Sequence, residues 1–277
     1  MPPKVSICIP AYCETKFLFE ALESCLSQSF TDIEVIVSDD TPDDSVKEVV
    51  ARFAVSDDRI SYYRNLGTPG AAGNSNYAVS KAGGEWIKFL YQDDLFASDN
   101  SLEDFVAQTD KVDFIFSPCI QVKENTRRIY RINDESYKKL RKDPVRAILS
   151  LGNIIGAPSA IMIRKSAFTP FAEDMVWKFD LYGYINAFIN TGNILCLDKP
   201  LIIINEHDRQ LTERVGRHNV IDYKESIKIG KLLLKYKRFR ISALIYIMKH
   251  TVKFIITGLI NSAHKLRAFM PRTCKTK

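Results

Sequence analysis

With 277 residues, the chain is long enough for one large α/β domain, or two small ones, and for a sizeable core. Its six cysteines form no C-x-x-C pair, which argues against structural zinc and for a reducing cytosol. The net charge of +6 is uneven: residues 221–277 hold fourteen Lys/Arg against Asp222 and Glu225, a local +12 that leaves −6 on residues 1–220. An acidic body joined to a basic tail implies a cation or cationic site for the first and an anionic surface for the second.

The first segment, MPPKVSICIPAY, lacks the long apolar stretch and small-residue cleavage site of an export signal and reads as a first strand, Val5 to Ile9. Leu18, Ala21, Leu22, Cys25 and Leu26 then share one helical face. Ile33 to Val37 is a second strand, and Val46, Val49, Val50 and Phe53 mark the next helix. Ile60 to Tyr63, a helix from Ala71 to Ala82, and a strand from Trp86 to Leu90 continue the alternation. This order implies right-handed βαβ units in a mainly parallel sheet, whose ligands gather at the carboxyl ends of the strands.

After about residue 110 the pattern is less regular. Val112 to Phe116, Ala160 to Ile163 and Ile194 to Leu197 read as strands around a charged helical stretch from Glu135 to Leu149. In 173-EDMVWKFDLYGYINAFINTGN-193, Leu181, Tyr184, Ile185 and Phe188 form an apolar helix face with Gly192 as its stop signal, so Asp180 sits at the helix start. From Asp222 the chain reads as basic helices, giving an α/β domain over residues 1–220 and a basic amphipathic tail over 221–277.

The apolar run 89-FLYQDDLF-96 ends in two adjacent carboxylates, Asp93 and Asp94, at the edge where such sheets bind ligands. Neither can stand unpaired in a core, because desolvating a lone carboxylate costs several kcal/mol or protonates it. A second acidic stretch, 37-VSDDTPDDS-45, follows the second strand at the same edge. Mg²⁺ and Mn²⁺ prefer oxygen ligands, commonly one or two carboxylates plus substrate phosphate, so a metal-bridged phosphate ester suits such a crevice. Asp40, Asp43 and Asp44 equally suit capping of the following helix. The stretch 67-GTPGAAGN-74 leaves a phosphate-facing turn and a plain loop both open. It is not G-x-G-x-x-G, and no Walker lysine follows, which weakens dehydrogenase and P-loop readings.

Three motifs in order carry a family resemblance. The segment 5-VSICIPAYCE-14 resembles a first strand ending in Pro-x-Tyr-Asn-Glu, and 34-EVIVSDDTPDDS-45 resembles E-I-I-V-V-D-D-G-S-x-D-x-S. The segment 74-NSNYAVSKAGGEWIKFLYQDD-94 is similar to Asn-x-Gly…Ala-x-Gly-Glu-Tyr-Ile-x-Phe-Leu-Asp-x-Asp-Asp. These are motifs of family 2 inverting glycosyltransferases of the GT-A fold; the likeness is good from about residue 4 to 96 and patchier to about 213.

The resemblance implies a nucleotide base between Tyr12 and Asp39, with the carboxylate accepting from a pyrimidine N3–H, and Pro10, Glu14 and Asn74 in the same nucleotide site. It implies Asp94 on a Mg²⁺ or Mn²⁺ ion and Asp93 on the ribose or sugar. Four positions depart from the pattern: Tyr91 and Ser38 stand in place of Asp, Cys13 in place of Asn, and Gly73 in place of an Arg. The first two departures remove negative charge. The segment 177-WKFDLYGYINAF-188 resembles the family stretch in which a base aspartate opens a helix, which assigns Asp180 as general base with Glu173 and Asp174 as fallbacks. Without that context an ordinary helix cap is the plainer role. The run 152-GNIIGAPSAIMIRK-165 is similar to an acceptor-facing loop, in which Pro158 and Ser159 also suit a simple turn. The run 205-NEHDRQLTERVGRH-218 is similar to Arg-x-His-x-x-Gln-x-Thr, which would bring His207 to diphosphate or metal; a plain surface histidine is the alternative.

In the tail, uncharged runs are interrupted by Lys249 and Lys253 and fall short of the roughly 20 apolar residues of a spanning helix. An amphipathic helix on an anionic leaflet is expected, with a helix packed on the domain as the alternative. No nucleic-acid motif accompanies the charge. The implied activity is metal-dependent, inverting transfer from a nucleoside-diphosphate sugar, UDP-linked, to a lipid-linked glycan acceptor in surface polysaccharide synthesis. The expected location is the cytoplasmic face of the cell membrane. The rivals are a Mg²⁺-dependent phosphoryl or nucleotidyl transferase and a non-catalytic membrane-bound scaffold with a degenerate site.

Overall fold

The structure is a computed structural model that describes residues 2–191, 193–207 and 220–269, with side chains through residue 257. The predicted stop at Gly192, the thiol of Cys274 and most of the loop after His207 lie outside the described residues. Two compact units form, residues 1–210 and 211–277.

The first unit opens with β1 (Val5–Ala11), α1 (Thr15–Leu26), β2 (Ile33–Asp39), α2 (Ser45–Ala54), β3 (Ile60–Arg64), α3 (Ala71–Lys81) and β4 (Trp86–Phe89). These are the expected elements, the strands to within two residues at each end. All seven residues of β1 are buried, as a strand covered by helices on both faces requires, and β1 lies between β2 and β4. Val5 pairs with Ile33 on one side and with Trp86 on the other, both parallel. The chain winds outward from β1 to β2 and β3, then returns to lay β4 on the opposite side, which makes the β1/β4 edge a topological switch point where α/β sheets hold ligands.

Three more strands complete a seven-stranded sheet of order β10-β6-β9-β4-β1-β2-β3: β6 (Phe114–Phe116), β9 (Ile161–Arg164) and β10 (Ile194–Cys196). β9 runs antiparallel to both β4 and β6, so the sheet is mixed with a parallel core. The charged stretch from Glu135 is two helices, α5 (Asp134–Lys142) and α6 (Pro144–Leu151), after the short α4 (Ser101–Val106). Pro144 opens α6 and the Asp143 side chain caps it, accepting from the Arg146 N–H, while Asn133 caps α5 in the same way.

A second sheet is absent from the sequence reading. It has the order β5-β11-β7-β8, from β5 (Asp94–Phe96), β7 (Cys119–Lys123), β8 (Thr126–Tyr130) and β11 (Ile202–Asn205). Its strands hide for two physical reasons. β5 is three residues long, and β8 is almost wholly exposed, so neither shows an apolar alternation.

β4 carries a fully buried lysine. Lys88 Nζ donates to the Phe89 carbonyl at 2.6 Å and to the Ser159 carbonyl, and burial pushes its pKa down to about 7. The amine thereby ties the end of β4 to the short 3-10 turn Pro158–Ala160. Lys88→Met keeps the stem's bulk and removes the donor, so a loss of about 1–3 kcal/mol in unfolding free energy is expected from urea titration. An unchanged midpoint would show that neither bond stabilises the fold.

The second unit, in its described part, is a helical hairpin of α8 (Val220–Leu234) and α9 (Arg240–Phe269). Tyr223 stacks on Phe254 at 4.5 Å, and Gly230 lies so close to Ile247 that a Cβ there would meet its side chain at 2.3 Å. No helix among the described residues is long and apolar enough to cross a membrane.

Candidate active site

Because β1, β2, β3 and β4 run parallel, the residues that follow them meet along one edge. Tyr12 follows β1 and is half exposed. Its N–H donates to Gln92 Oε1 at 2.8 Å and its carbonyl accepts from Gln92 Nε2 at 2.9 Å, which pins the acidic loop after β4 to the end of β1. Cys13 takes a left-handed conformation, φ 61°, one that Asn adopts more readily than most residues. Pro10 is buried within β1, and Glu14 stands half-buried at the N-cap of α1.

Asp39 ends β2 with its side chain fully buried. It accepts from the Thr41 N–H at 2.7 Å and the Tyr62 hydroxyl at 2.7 Å, and Arg64 Nη1 lies 3.1 Å away. Arg64 also donates to the Asp43 carbonyl at 2.8 Å and to Asp44 Oδ1 at 3.1 Å. In the second acidic stretch Asp39 and Asp44 thus share the Arg64 guanidinium, while Asp40 accepts from Asn65 and Gly70. The capping role of this stretch is partial: Asp43 accepts from the Ser45 N–H, whereas Asp44, at the N-cap of α2, makes no side-chain cap.

Asn74 is an internal brace, buried with its amide donating to the Ala11 carbonyl at 3.0 Å and accepting from the Ser38 hydroxyl. Ser38 thus faces α3, and its departure from the pattern takes no charge from the crevice. The Gly70 N–H donates to Asp40 Oδ2 at 2.7 Å, so this turn holds a carboxylate of its own chain, as the plain-loop alternative has it. A Cβ on Gly73 would lie 2.0 Å from the Thr68 carbonyl oxygen, so this loop admits no arginine there.

The carboxylate pair divides. Asp93 Oδ2 lies 3.1 Å from His207 Nε2, and the imidazole stacks on Phe17 at 4.9 Å. Asn205 Nδ2 donates to the Asp93 carbonyl at 2.7 Å, so the end of β11 holds the acidic loop in place. Asp94, the first residue of β5, is 3% exposed and turns inward toward Ser159 and Lys88. Burial, followed by the neighbouring charge of Asp93, raises its pKa well above the usual carboxylate range, and its Oδ1 has no hydrogen-bond partner. Asp93 thus meets the histidine, and Asp94 lies behind it.

Tyr91 joins this pair to the candidate base. Its hydroxyl lies 3.0 Å from the Ser75 hydroxyl and its N–H donates to Ser159 Oγ at 2.9 Å. Burial raises the phenol's pKa, the Ser75 hydrogen bond lowers it, and the charges of Asp180, Asp94 and Asp93 raise it further. Asp180 is the second residue of α7 (Phe179–Asn190), two residues past the N-cap Lys178 and in the first turn, where the helix dipole favours a carboxylate. It accepts from the Leu181 N–H at 2.6 Å and from Asn153 Nδ2 at 3.0 Å. Asn153 in turn accepts the N–H groups of Ile155 and Gly156, so the loop 152–157 orients the carboxylate. Glu173 accepts from Thr68 and Asn76, which hold its pKa below the usual range and suit it less to taking a proton.

Sequence reading passes over Lys88, Gln92 and Arg64 as site residues, and gives Asn153 and Ser159 only a place in a run similar to an acceptor-facing loop. A lysine inside the apolar run 86-WIKFLY-91 is a visible signal; the other four are ordinary polar residues whose partners are distant in sequence.

A model of the family described as Glycosyl transferase family 2 matches residues 6–169, more than half of the chain. The chain belongs to this family. Among curated relatives of this family 2 glycosyltransferase, the GalNAc(5)-diNAcBac-PP-undecaprenol beta-1,3-glucosyltransferase of Campylobacter jejuni is 40% identical over 93 residues, 33% of this chain and 30% of that protein. The UDP-Glc:alpha-D-GlcNAc-diphosphoundecaprenol beta-1,3-glucosyltransferase WfaP of Escherichia coli is 35% identical over 114 residues, 41% of this chain and 45% of that protein. The matched region thus spans less than half the length of either relative. Among solved structures, S. aureus TarS in complex with UDP-GlcNAc superposes with TM-score 0.69 at 17% identity, over 90% of this chain and 72% of that one. Mannosyltransferase PcManGT from Pyrobaculum calidifontis, in complex with GDP-Man and Mn2+, gives 0.58 at 14% identity over 98% and 82%. At these identities the likeness bears on the fold, which is GT-A.

Proposed function

We propose that this family 2 glycosyltransferase moves a sugar, with inversion, from a UDP-sugar to a hydroxyl of a lipid-linked saccharide. The observation that carries the reading is the family 2 match over residues 6–169, with Tyr12 tied through Gln92 to the loop of the Asp93–His207 pair at the switch point of the sheet. The names of the Campylobacter and E. coli relatives, both glucosyltransferases on undecaprenol-linked diphosphates, support the acceptor class. WfaP's name and the UDP-GlcNAc complex of TarS support the donor nucleotide.

Asp93 and His207 fit a hard cation. An oxygen and an imidazole nitrogen 3.1 Å apart offer two protein ligands, and Mg²⁺ or Mn²⁺ commonly completes its shell with substrate phosphate and water. Among the described residues no group of three or more His, Cys, Asp or Glu side chains gathers as a self-sufficient metal cage, which is consistent with a site completed by the donor. A cation there would offset charge on the departing diphosphate. Asp94 is then a supporting carboxylate, held between Ser159 and the Lys88 charge.

The base of the nucleotide stacks on Tyr12, with Asp39 as the floor of the pocket. Asp39→Ala removes the partner of Tyr62, Thr41 and Arg64 as well as a base contact. UDP affinity is expected to fall equally with and without metal, and stability by about 1–3 kcal/mol. UDP affinity equal to wild type by calorimetry would remove Asp39 from the pocket.

Asp180 takes the proton of the acceptor hydroxyl as that oxygen bonds to the anomeric carbon and the bond from that carbon to the UDP oxygen breaks. Asn153 keeps the carboxylate aimed. A lipid-linked acceptor implies a peripheral enzyme on the inner face of the cell membrane, with the basic tail, residues 221–277, as the membrane-associating part. A thermal-shift panel of UDP-, GDP- and dTDP-sugars, with and without Mn²⁺, tests the donor site: stabilisation by UDP-sugars alone, enhanced by Mn²⁺, is expected. Preferential stabilisation by GDP- or dTDP-sugars would overturn the nucleotide assignment.

A further inference from the structure

The hairpin of α8 and α9 leaves one face of α9 uncovered in a way that its packing does not require. The face turned to α8 is accounted for: Ala243 and Tyr246 are buried, Ile247 fills the notch at Gly230, and Phe254 stacks on Tyr223. On the other side Ile241, Leu244, Ile245, Met248, Val252 and Ile255 are all exposed, from 49% at Val252 to 76% at Ile241. At 100° per residue they fall within an arc of about 100°, and the stripe runs for about 21 Å along the helix. A stripe of this kind on a soluble face marks an interaction surface.

The charge around it says what covers it. Residues 220–257 contain nine Lys/Arg and two acids, Asp222 and Glu225, and both acids are buried. The exposed charge of this segment is therefore all positive, with Lys249 and Lys253 beside the stripe on α9 and Lys235, Lys237 and Arg238 at the turn of the hairpin. A second copy would bring like charge to the seam; an anionic lipid surface offers the complement of both the apolar stripe and its basic rim.

We propose that this face of α9 docks in the plane of an anionic bilayer, with the six apolar side chains at the boundary between headgroups and acyl chains and the lysines on the phosphates. This deepens the peripheral-membrane reading above by naming the contact: binding has an apolar component that salt does not screen and a basic component that it does.

The test uses the full chain and sedimentation with phosphatidylcholine vesicles, with and without phosphatidylglycerol. Wild type should partition onto the phosphatidylglycerol vesicles and retain part of that binding at high salt. Leu244→Glu with Met248→Glu should lower the partition coefficient about tenfold or more at every salt concentration, since two exposed apolar side chains lose their burial in lipid. Lys249→Gln with Lys253→Gln should weaken binding several-fold at low salt and scarcely at high salt. Circular dichroism and UDP-induced thermal shift confirm that the variants fold. Equal partition of the Leu244/Met248 variant and wild type overturns the proposal. So does a wild type indifferent to phosphatidylglycerol, or a dimer in sedimentation equilibrium that these substitutions dissociate. Transfer to a soluble acceptor separates the two readings. A wild type that docks through this face yet transfers no sugar would contradict the enzymatic reading and leave the docking face standing, and active enzyme that ignores vesicles would do the reverse.

Discussion

Asp180→Asn should lower kcat by about 10²-fold or more while the Kd for the UDP-sugar stays within a few-fold, because the amide cannot take the acceptor's proton and the donor site lies after β1, β2 and β4. Stability should barely move: the amide oxygen still accepts from the Leu181 N–H in the first turn of α7. The Asn153 contact gives the prediction a second edge. Asn153→Ala should leave donor affinity unchanged and reduce kcat more than it raises KM, since it frees the carboxylate to rotate without removing it. A stable Asp180→Asn enzyme with wild-type turnover per folded molecule would make Asp180 structural. Glu173 is a poor heir, being committed to Thr68 and Asn76, so the base would then be sought at Asp174.

Asp93→Ala should abolish transfer and remove the metal dependence of donor binding, since a hard cation has only His207 left among the described ligands. His207→Ala should weaken metal dependence less, by about 10-fold, because neutral imidazole is the weaker partner for a hard ion. Asp94→Asn should behave differently. Its carboxylate faces Lys88 and Ser159 in the interior, so substitution should change stability first and leave the metal titration of the folded protein near wild type. Metal-dependent UDP binding that survives in Asp93→Ala and disappears in Asp94→Asn would restore the roles that the motif resemblance assigns.

The parallel core was legible because its strands are continuous apolar runs and its helices repeat their apolar residues every three or four positions. Val5–Ala11 and Ser45–Ala54 show both patterns. β8 was not, because its side chains face solvent and a hairpin partner, so nothing in its own composition marks it as a strand. At the site, Asp93 and Asp94 are neighbours in sequence, but Asp93 lies in the turn before β5 and reaches His207, whereas Asp94 opens β5 and faces Lys88 and Ser159. Departures from the family pattern became interpretable only in three dimensions. Gly73 is enforced by the Thr68 carbonyl, and Ser38 faces Asn74 rather than the crevice. Asn153 and Gln92 had no local signature, since each acts through one long-range hydrogen bond or a pair of them.

The most direct measurement is the anomeric configuration of the product by NMR, after incubation of the full chain with an α-linked UDP-sugar, Mn²⁺ and a prenyl-diphosphate-linked saccharide. A β-glycoside with release of UDP is the expected result, as a single displacement assisted by Asp180 requires. An α-glycoside, or release of UMP in place of UDP, would contradict it.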